Sequence, residues 1–274
     1  MSFAKFNLCE TIILPKLQQK KVLLTLRSLT YRLFHMPQLN TIPTASAAST
    51  TDFSGKTAVV IDVLRATSVI TTALAMGAHS VIPAETIEEA REIYRAGNED
   101  SLLCGERDAM KIEGFQLGNS PLEYTSEIVA GKRIILCTSN GTKAIRACKS
   151  AEKMIILSFL NMGAVVDLLA KERNEIVLVC SGTNGKFSLD DALCAGVLIN
   201  RLSLKSDLTS CDLSKALSLV ASTSPNDLMQ ALKGCFHLDY LLKRGFAEDV
   251  EFCLRMDVFP STPLLFDNSI KIIS

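Results

Sequence analysis

The chain has 274 residues, of which 48% are hydrophobic, and its 29 basic residues equal its 29 acidic residues in number. This length and apolar content suffice for one large α/β core or two small ones. Residues 1–35 hold six basic residues and one acidic residue, so the remainder has 23 basic and 28 acidic residues and a net charge of −5. A mildly acidic body argues against nucleic acid as the main ligand, because binding to a phosphate backbone needs a basic surface.

The cysteine pattern is typical of a reduced protein. The nine cysteines include no CxxC pair and no Cys/His cluster with zinc spacing. Cys104, Cys137 and Cys180 end apolar runs, where a free thiol packs as a small hydrophobe, and no apolar run is long enough to span a membrane. We therefore expect a cytoplasmic protein that binds neither membranes nor nucleic acid, and the sequence leaves homo-oligomerisation open.

The first 35 residues differ in composition from the rest of the chain. They are basic, poor in acidic residues and weakly amphipathic. This composition favours an organelle presequence, or an extension upstream of a start at Met36, over a surface helix packed on the body. We predict an N-terminal extension over residues 1–35, either disordered or a presequence, and one domain over residues 36–274.

From Thr57 onward, short apolar runs alternate with helical patterns. Residues 41–55, which precede them, are rich in Ser, Thr and Ala and predict a loop or a short edge strand. Strands are predicted at 57–62, 80–84, 101–105, 133–137, 153–158 and 175–180. Helices are predicted at 67–76, 87–96, 141–148, 161–170 and 189–204. Apolar runs that lead into helices predict an α/β protein with a largely parallel sheet covered on both faces. The tail from Ser206 is predicted to be mainly helical, with a helix start at Pro225 and a short strand near Val258.

Two near-copies of one motif lie about forty residues apart. They are CTSNGTK at 137–143 and CSGTNGK at 180–186, and each follows a predicted strand and precedes a predicted helix. Free backbone N–H groups in such a turn, together with the positive end of a helix dipole, bind anions. With acidic residues in other strand-end loops, the pair predicts a phosphate-handling enzyme.

Polar residues follow most of the predicted strands. In a parallel sheet, ligands collect beyond the carboxyl ends of the strands. The residues found at these ends are Asp62, Arg65, Thr67, Glu106, Arg107, Thr138 to Thr142, Ser158, Asn161, Ser181 to Gly185, Ser188, Asp190 and Asp191. Carboxylates, amides, hydroxyls and two arginines at one place predict a site for an anion and a metal.

Several longer stretches carry a family resemblance. They are VVIDVLRATSVITTAL, GERDAMKIEGFQLGNSPLEY, CTSNGTKA, SFLNMGAV, CSGTNGKFSLDDALCAG and, near the end, GFAEDVEFCLRMDVFP. In order and spacing they resemble the 2-phosphosulfolactate phosphatase family from about Met36 to the end. The resemblance implies a three-layer α/β/α fold and Mg²⁺-dependent hydrolysis of (2R)-2-phospho-3-sulfolactate to 3-sulfolactate and phosphate, a step towards coenzyme M. The chain departs from the family pattern at Asp108 and Ala109, where glycines are common, at TSNGT in place of TTNGT, and near His237.

Three carboxylates are the predicted ligands of Mg²⁺: Asp62, Glu106 and Asp191. We also predict catalytic roles for Asp62, Arg65 and Asp191, and leave open whether Asp62 or water attacks phosphorus. The alternative for Asp62 is an ion pair with Arg65. The alternative for Asp191 is a capping box with Ser188 as N-cap.

The substrate is predicted to be a small phosphorylated anion. Arg65 and Arg107 are the candidate clamps for its phosphate and for its sulfonate or carboxylate end, with the assignment between them open. The other predicted substrate-binding residues are Asn119, Ser120, Thr138, Asn140, Gly141, Asn161, Ser181 and Thr183. A phosphatase for another phosphorylated hydroxy acid and a non-catalytic anion-binding protein are the alternative functions.

The spacing C-x5-K at Cys137 and Cys180 is close to the C-x5-R of cysteine phosphatases. Lysine is the poorer clamp for phosphate, and both cysteines end apolar strands. We therefore interpret both cysteines as structural. The aspartyl-phosphatase motif D-x-D-x-T is not met, because Leu64 holds the second Asp position, and GTNGKFS is too short for a Walker A loop.

Overall fold

A computed structural model of the chain describes residues 37–97, 100–224 and 227–272. The extension predicted over 1–35 and the helix start predicted at Pro225 lie outside these ranges. In chain order the strands are β1 Gln38–Ile42, β2 Thr57–Ile61, β3 Ser80–Ala84, β4 Ser101–Arg107, β5 Met110–Lys111, β6 Arg133–Cys137, β7 Lys153–Leu157, β8 Ile176–Cys180, β9 Thr209–Ser210, β10 Pro263–Phe266 and β11 Ser269–Ile272. All six strands predicted between residues 57 and 180 are present.

The helices also match the predicted pattern. They are α1 Ala45–Ala48, α2 Ala66–Ala75, α3 Ile87–Ala96, α4 Ser126–Val129, α5 Gly141–Ala147, α6 Met162–Leu169, α7 Leu189–Ser203, α8 Asp212–Thr223, α9 Leu228–Ala231, α10 Phe236–Lys243 and α11 Ala247–Cys253. The tail beyond Ser206 is mainly helical, as predicted. None of the helices in the described ranges combines the length and the apolar character needed to cross a bilayer.

Strand β2 shows why the sheet is covered on both faces. All five of its residues are buried. Val59 and Ile61 belong to one apolar cluster, which includes residues of α6 and α7. Ala58 and Val60 belong to another, which includes residues of α2 and α5. Because successive strand residues point to opposite faces, a helix layer lies on each side, and the three-layer α/β/α prediction is confirmed.

The sheet consists of two parallel blocks joined by an antiparallel hairpin. The strand order is β5-β4-β6-β3-β11-β10-β7-β2-β8-β1-β9. Strands β4, β6 and β3 are mutually parallel, as are β7, β2, β8, β1 and β9. Three antiparallel pairings, β3–β11, β11–β10 and β10–β7, separate the blocks. The two blocks therefore run in opposite senses.

The structure corrects two sequence predictions of where strands lie. The last strands lie at 263–272 in the middle of the sheet, not near Val258. Their turn residues Asp267 and Asn268 have φ values of 44° and 62°, as a two-residue hairpin of type I′ requires. Residues 41–55, predicted as a loop or a short edge strand, instead contain the last two residues of β1, which is paired on both sides, and all of α1.

The carboxyl ends of the two blocks nevertheless meet. The backbone N–H of Asn184, which follows β8, donates to Oδ1 of Asn140, which follows β6, at 3.2 Å. A flat sheet would hold the two ends at opposite edges. The sheet between β6 and β8 is therefore twisted, as sheets generally are.

Candidate active site

A polar cleft lies where the strand ends meet. Residues after β2, β6 and β8, a residue in β4 and residues of α10 line it. Its cavity volume, counted as the space open to the centre of a water molecule, is about 50 Å³. The predicted site residues that line the cleft are Asp62, Arg65, Glu106, Asn119, Thr138, Asn140 and Thr183.

Asp62 directly follows β2 and is buried. The backbone N–H of Ala66 donates to its Oδ1 at 3.1 Å. Burial, and after it the negative charges of Asp190 and Glu106, raise the pKa of Asp62 to about 7, although the hydrogen bond from Ala66 opposes the rise. The Asp62 carboxylate is therefore buried near other negative charges, and a bound cation would stabilise its ionised form.

Gly141 explains how α5 approaches this carboxylate. A Cβ atom at this position would lie 2.5 Å from Cβ of Ala66 and 2.8 Å from Oδ2 of Asp62. Only glycine fits there, because the start of α5 packs directly on Asp62. The structure thus gives Gly141 a packing role beside the predicted site.

Glu106 faces the same cleft from β4. Its Oε1 accepts a hydrogen bond from the N–H of Ser139 at 2.7 Å, and its Oε2 accepts one from Ala109 at 2.9 Å. Gly105 lets the end of β4 lie close to the end of β6, since a Cβ atom at Gly105 would lie 1.9 Å from the carbonyl oxygen of Cys137. Glu106 is therefore fixed relative to the turn at 138–141.

The turn after Glu106 has an unusual backbone. Asp108 and Ala109 have φ values of 53° and 66°, which accounts for the glycines common there in the family pattern. Asp tolerates this left-handed conformation, whereas alanine adopts it at a cost of roughly 1–2 kcal/mol.

Replacing Ala109 with Gly is expected to stabilise the protein by about 0.5–1 kcal/mol. Relief of the left-handed strain exceeds the roughly 0.4–1 kcal/mol of added chain entropy in the unfolded state. Thermal or urea unfolding measures the change. Ala164→Gly in α6 is the control, with an expected loss of about 0.5–1 kcal/mol; a loss at Ala109 as well would contradict the strain.

Asp191 does not join the other two carboxylates. Its Oδ1 accepts from the N–H of Val63 at 2.9 Å and its Oδ2 from that of Gly182 at 3.0 Å. Burial, and next Asp190 and Asp62, raise its pKa well above the usual range. It braces the loops after β2 and β8. The capping box is not formed either, because Ser188 donates to Asp190.

The predicted ligand set of three carboxylates is therefore not assembled. Within residues 37–97, 100–224 and 227–272, no three Asp, Glu, His or Cys side chains are grouped so that they could hold one metal ion. Asp62 and Glu106 remain as the two predicted ligands that face one cleft.

Arg65 is held by a partner that the sequence analysis missed. Its guanidinium forms a buried ion pair with Asp249, donates to the carbonyl of Ala109 at 2.9 Å and stacks over Phe246 at 4.0 Å. The predicted ion pair with Asp62 is not formed. Ser120 donates to Oδ1 of Asp249 at 2.6 Å, so Ser120 supports this pair and does not line the cleft.

The two copies of the repeated motif meet at the cleft, through the hydrogen bond between Asn184 and Asn140. The N–H of Thr142 donates to Oγ1 of Thr138 at 3.2 Å and fixes the first turn. Oδ1 of Asn119 is buried without a hydrogen-bond partner among the described residues. Such orphaned polar atoms are costly unless a ligand or water satisfies them.

Asn161 and Arg107 lie outside the cleft. Asn161 is fully buried, accepts from the N–H of Ser158 at 2.9 Å and donates to the carbonyl of Ile156 at 3.0 Å, so its amide closes a turn. Arg107 lines an adjacent depression with Lys143 and Ser181. It donates to the carbonyls of Glu106 and Glu85 and to the sulfur of Cys137.

The two motif cysteines have the environment of structural residues. Cys137 and Cys180 are buried at the ends of β6 and β8. Burial raises the pKa of both thiols, although Arg107 partly opposes this at Cys137. A thiol that stays protonated is a weak nucleophile.

Replacing Cys137 or Cys180 with Ser is expected to keep kcat/KM within about tenfold of wild type, with a modest loss of stability. Steady-state phosphate release and thermal unfolding of each variant measure this. Loss of all turnover in a folded variant, together with a trapped phosphothiol in wild type, would contradict the structural interpretation.

Comparison with known proteins identifies the family of the chain. A family model described as 2-phosphosulpholactate phosphatase matches residues 42–268. A protein named probable 2-phosphosulfolactate phosphatase from Caldanaerobacter subterraneus is 45% identical over 234 residues, which cover 85% of this chain and 97% of that protein. A protein of the same name from Thermotoga petrophila is 49% identical over 210 residues, which cover 77% of this chain and 89% of that protein. One from Clostridium perfringens is 44% identical over 220 residues, which cover 79% of this chain and 88% of that protein. The chain belongs to the 2-phosphosulfolactate phosphatase family, and with it to the phosphoric monoester hydrolases.

Proposed function

We propose that this chain hydrolyses 2-phospho-3-sulfolactate to 3-sulfolactate and phosphate in a Mg²⁺-dependent reaction. The observation that carries the proposal is that Asp62, Glu106 and Arg65 line one cleft together with the turn of the CTSNGTK motif. In an organism that makes coenzyme M, the reaction would be a step of that synthesis.

The donor set at the cleft fits Mg²⁺. This ion keeps several waters and is usually held by one or two carboxylates together with substrate phosphate. Asp62 and Glu106 supply two carboxylates. Burial, and next the charges of Asp190 and Glu106, raise the pKa of Asp62, so a bound cation would stabilise its ionised form. When bound there, the ion would neutralise charge on the phosphoryl oxygens.

The protein groups would orient the phosphate and stabilise its charge. The N–H groups of Asn140 and Gly141, in the turn between β6 and α5, would donate to phosphoryl oxygens. Arg65, held rigid by Asp249, adds a positive charge at the wall of the cleft. Donors that are already fixed in place stabilise developing charge without reorganisation.

A panel of phosphate esters tests the proposal. Phosphate release is measured with 2-phosphosulfolactate, 2-phospholactate and 2-phosphoglycerate, each with Mg²⁺ and with EDTA. We expect kcat/KM to be highest for 2-phosphosulfolactate and activity to need Mg²⁺. A clear preference for another ester would favour the phosphatase alternative.

The non-catalytic alternative predicts no phosphate release from any ester. The carboxylates Asp62 and Glu106 speak against it, because a pure anion-binding site gains nothing from two acidic groups beside its ligand.

A further inference from the structure

The ring of His237, which lines the cleft, is held by a chain of side-chain hydrogen bonds. His237 is the second residue of α10, and its side chain is 14% exposed. Its Nδ1 lies 3.0 Å from Oγ1 of Thr183, which in turn lies 3.1 Å from Oγ of Ser188. Ser188 donates to the buried carboxylate of Asp190.

The end of this chain fixes the direction of every donor in it. A carboxylate only accepts, so the Ser188 hydroxyl donates to Asp190 and must accept from the Thr183 hydroxyl. Thr183 then accepts from Nδ1–H of His237. Nδ1 keeps its proton, and Nε2, on the other side of the ring, is the nitrogen that exchanges a proton with the cleft.

Other charged or titratable groups surround the ring. Asp190 approaches Nδ1 from the start of α7 at 3.8 Å, and Tyr240 lies on the same helix with ring centroids 6.4 Å apart. The groups across the cleft are Asp62, Arg65, Glu106 and Asp108. The groups in the adjoining depression are Lys186 and Cys235. Both carboxylate oxygens of Glu106 already accept a hydrogen bond from a backbone N–H group.

We propose that His237 is the general acid of the reaction, donating a proton from Nε2 to the oxygen that leaves phosphorus. This inference rests on the proposed function. The leaving group is the alkoxide of a secondary alcohol, which departs poorly without a proton. The bond between phosphorus and the oxygen on carbon 2 breaks while a bond between phosphorus and a water oxygen forms. The departing alkoxide takes the Nε2 proton. The product H₂PO₄⁻ then releases a proton, and Nε2 takes it up again.

The test is the pH profile of kcat/KM for His237→Asn with 2-phosphosulfolactate and Mg²⁺. For wild type we expect kcat/KM to decline at alkaline pH. For His237→Asn we expect a loss of about 10²–10⁴-fold near neutral pH and no such decline. His79→Asn, the same change at an exposed position before β3, is the matched control and should match wild type.

Variants at Thr183 distinguish a loss of His237 positioning from a loss of folding. Thr183→Val breaks the hydrogen-bond chain and is expected to lower kcat by about tenfold or more with little change in KM, whereas Thr183→Ser should restore it. Near-wild-type turnover in His237→Asn, or a loss that leaves the alkaline decline in place, would overturn the role of His237. Failure of wild type to release phosphate would instead overturn the proposed function, and the inference with it.

Discussion

Replacing Asp62 with Asn is expected to lower kcat/KM for phosphate release by about 10³-fold, equivalent to roughly 4 kcal/mol of transition-state stabilisation. Asn keeps the shape of the side chain and can still accept from the N–H of Ala66. It removes the negative charge through which Asp62 would hold Mg²⁺ or attack phosphorus. Steady-state kinetics with saturating Mg²⁺ measures the loss.

Glu172→Gln is the matched control for that loss. Glu172 is also a buried carboxylate, but it accepts from Thr57 and Lys153, which begin β2 and β7, at the opposite ends of these strands from the cleft. We expect lower stability and unchanged kcat/KM. A wild-type rate in Asp62→Asn, or equal losses in both variants, would contradict the assignment of Asp62.

The same substitution should stabilise the fold in EDTA. The pKa of Asp62 is raised from 3.8 to about 7 on folding, so the folded state binds its proton more tightly than the unfolded state. Its carboxyl therefore costs stability progressively as pH rises from 4 to 7, and fully above pH 7. Asp62→Asn should unfold at a higher temperature than wild type at pH 8, and the difference should vanish below pH 4.

The second large effect is expected at Asp249. Asp249→Asn should lower the free energy of unfolding by about 3–5 kcal/mol, because it leaves the buried Arg65 guanidinium without its counter-ion. For a domain of this size the thermal midpoint should fall by roughly 10 °C. Activity should fall as well, because Arg65 loses the partner that aims it at the cleft.

Asp167→Asn is the control for the second effect. Asp167 pairs with Lys205 on the surface, where the two side chains are 64% and 51% exposed, and such pairs contribute about 0–1 kcal/mol. Equal midpoints for Asp249→Asn and wild type would show that the buried ion pair contributes little.

The central strands and helices were predictable because each is a short segment whose apolar residues form a regular pattern and are buried in the core. Strand β2 has five buried residues, four of them an unbroken apolar run, and the glycines after residues 76 and 96 mark helix ends. The hairpin at 263–272 was missed because its signal is short. Its position in the middle of the sheet depends on pairings with β3 and β7, which lie far away in sequence.

The site was predictable only as far as strand ends define it. Asp62 and Glu106 face the cleft because each ends or nearly ends a strand that points there. Asp191 has the same signal, but its oxygens serve backbone N–H groups that a sequence pattern cannot locate. Asp249 and His237 come from C-terminal helices that fold back over the cleft, so no spacing connected them to Arg65 or Thr183.

Phosphate release from 2-phosphosulfolactate by the purified chain, compared with Asp62→Asn purified in the same way, tests the central claim most directly. The variant serves as the background, since any contaminating phosphatase would be present in both preparations. With Mg²⁺ we expect wild type to release phosphate about 10³-fold faster than the variant. Equal rates in the two preparations would contradict a phosphatase site at this cleft.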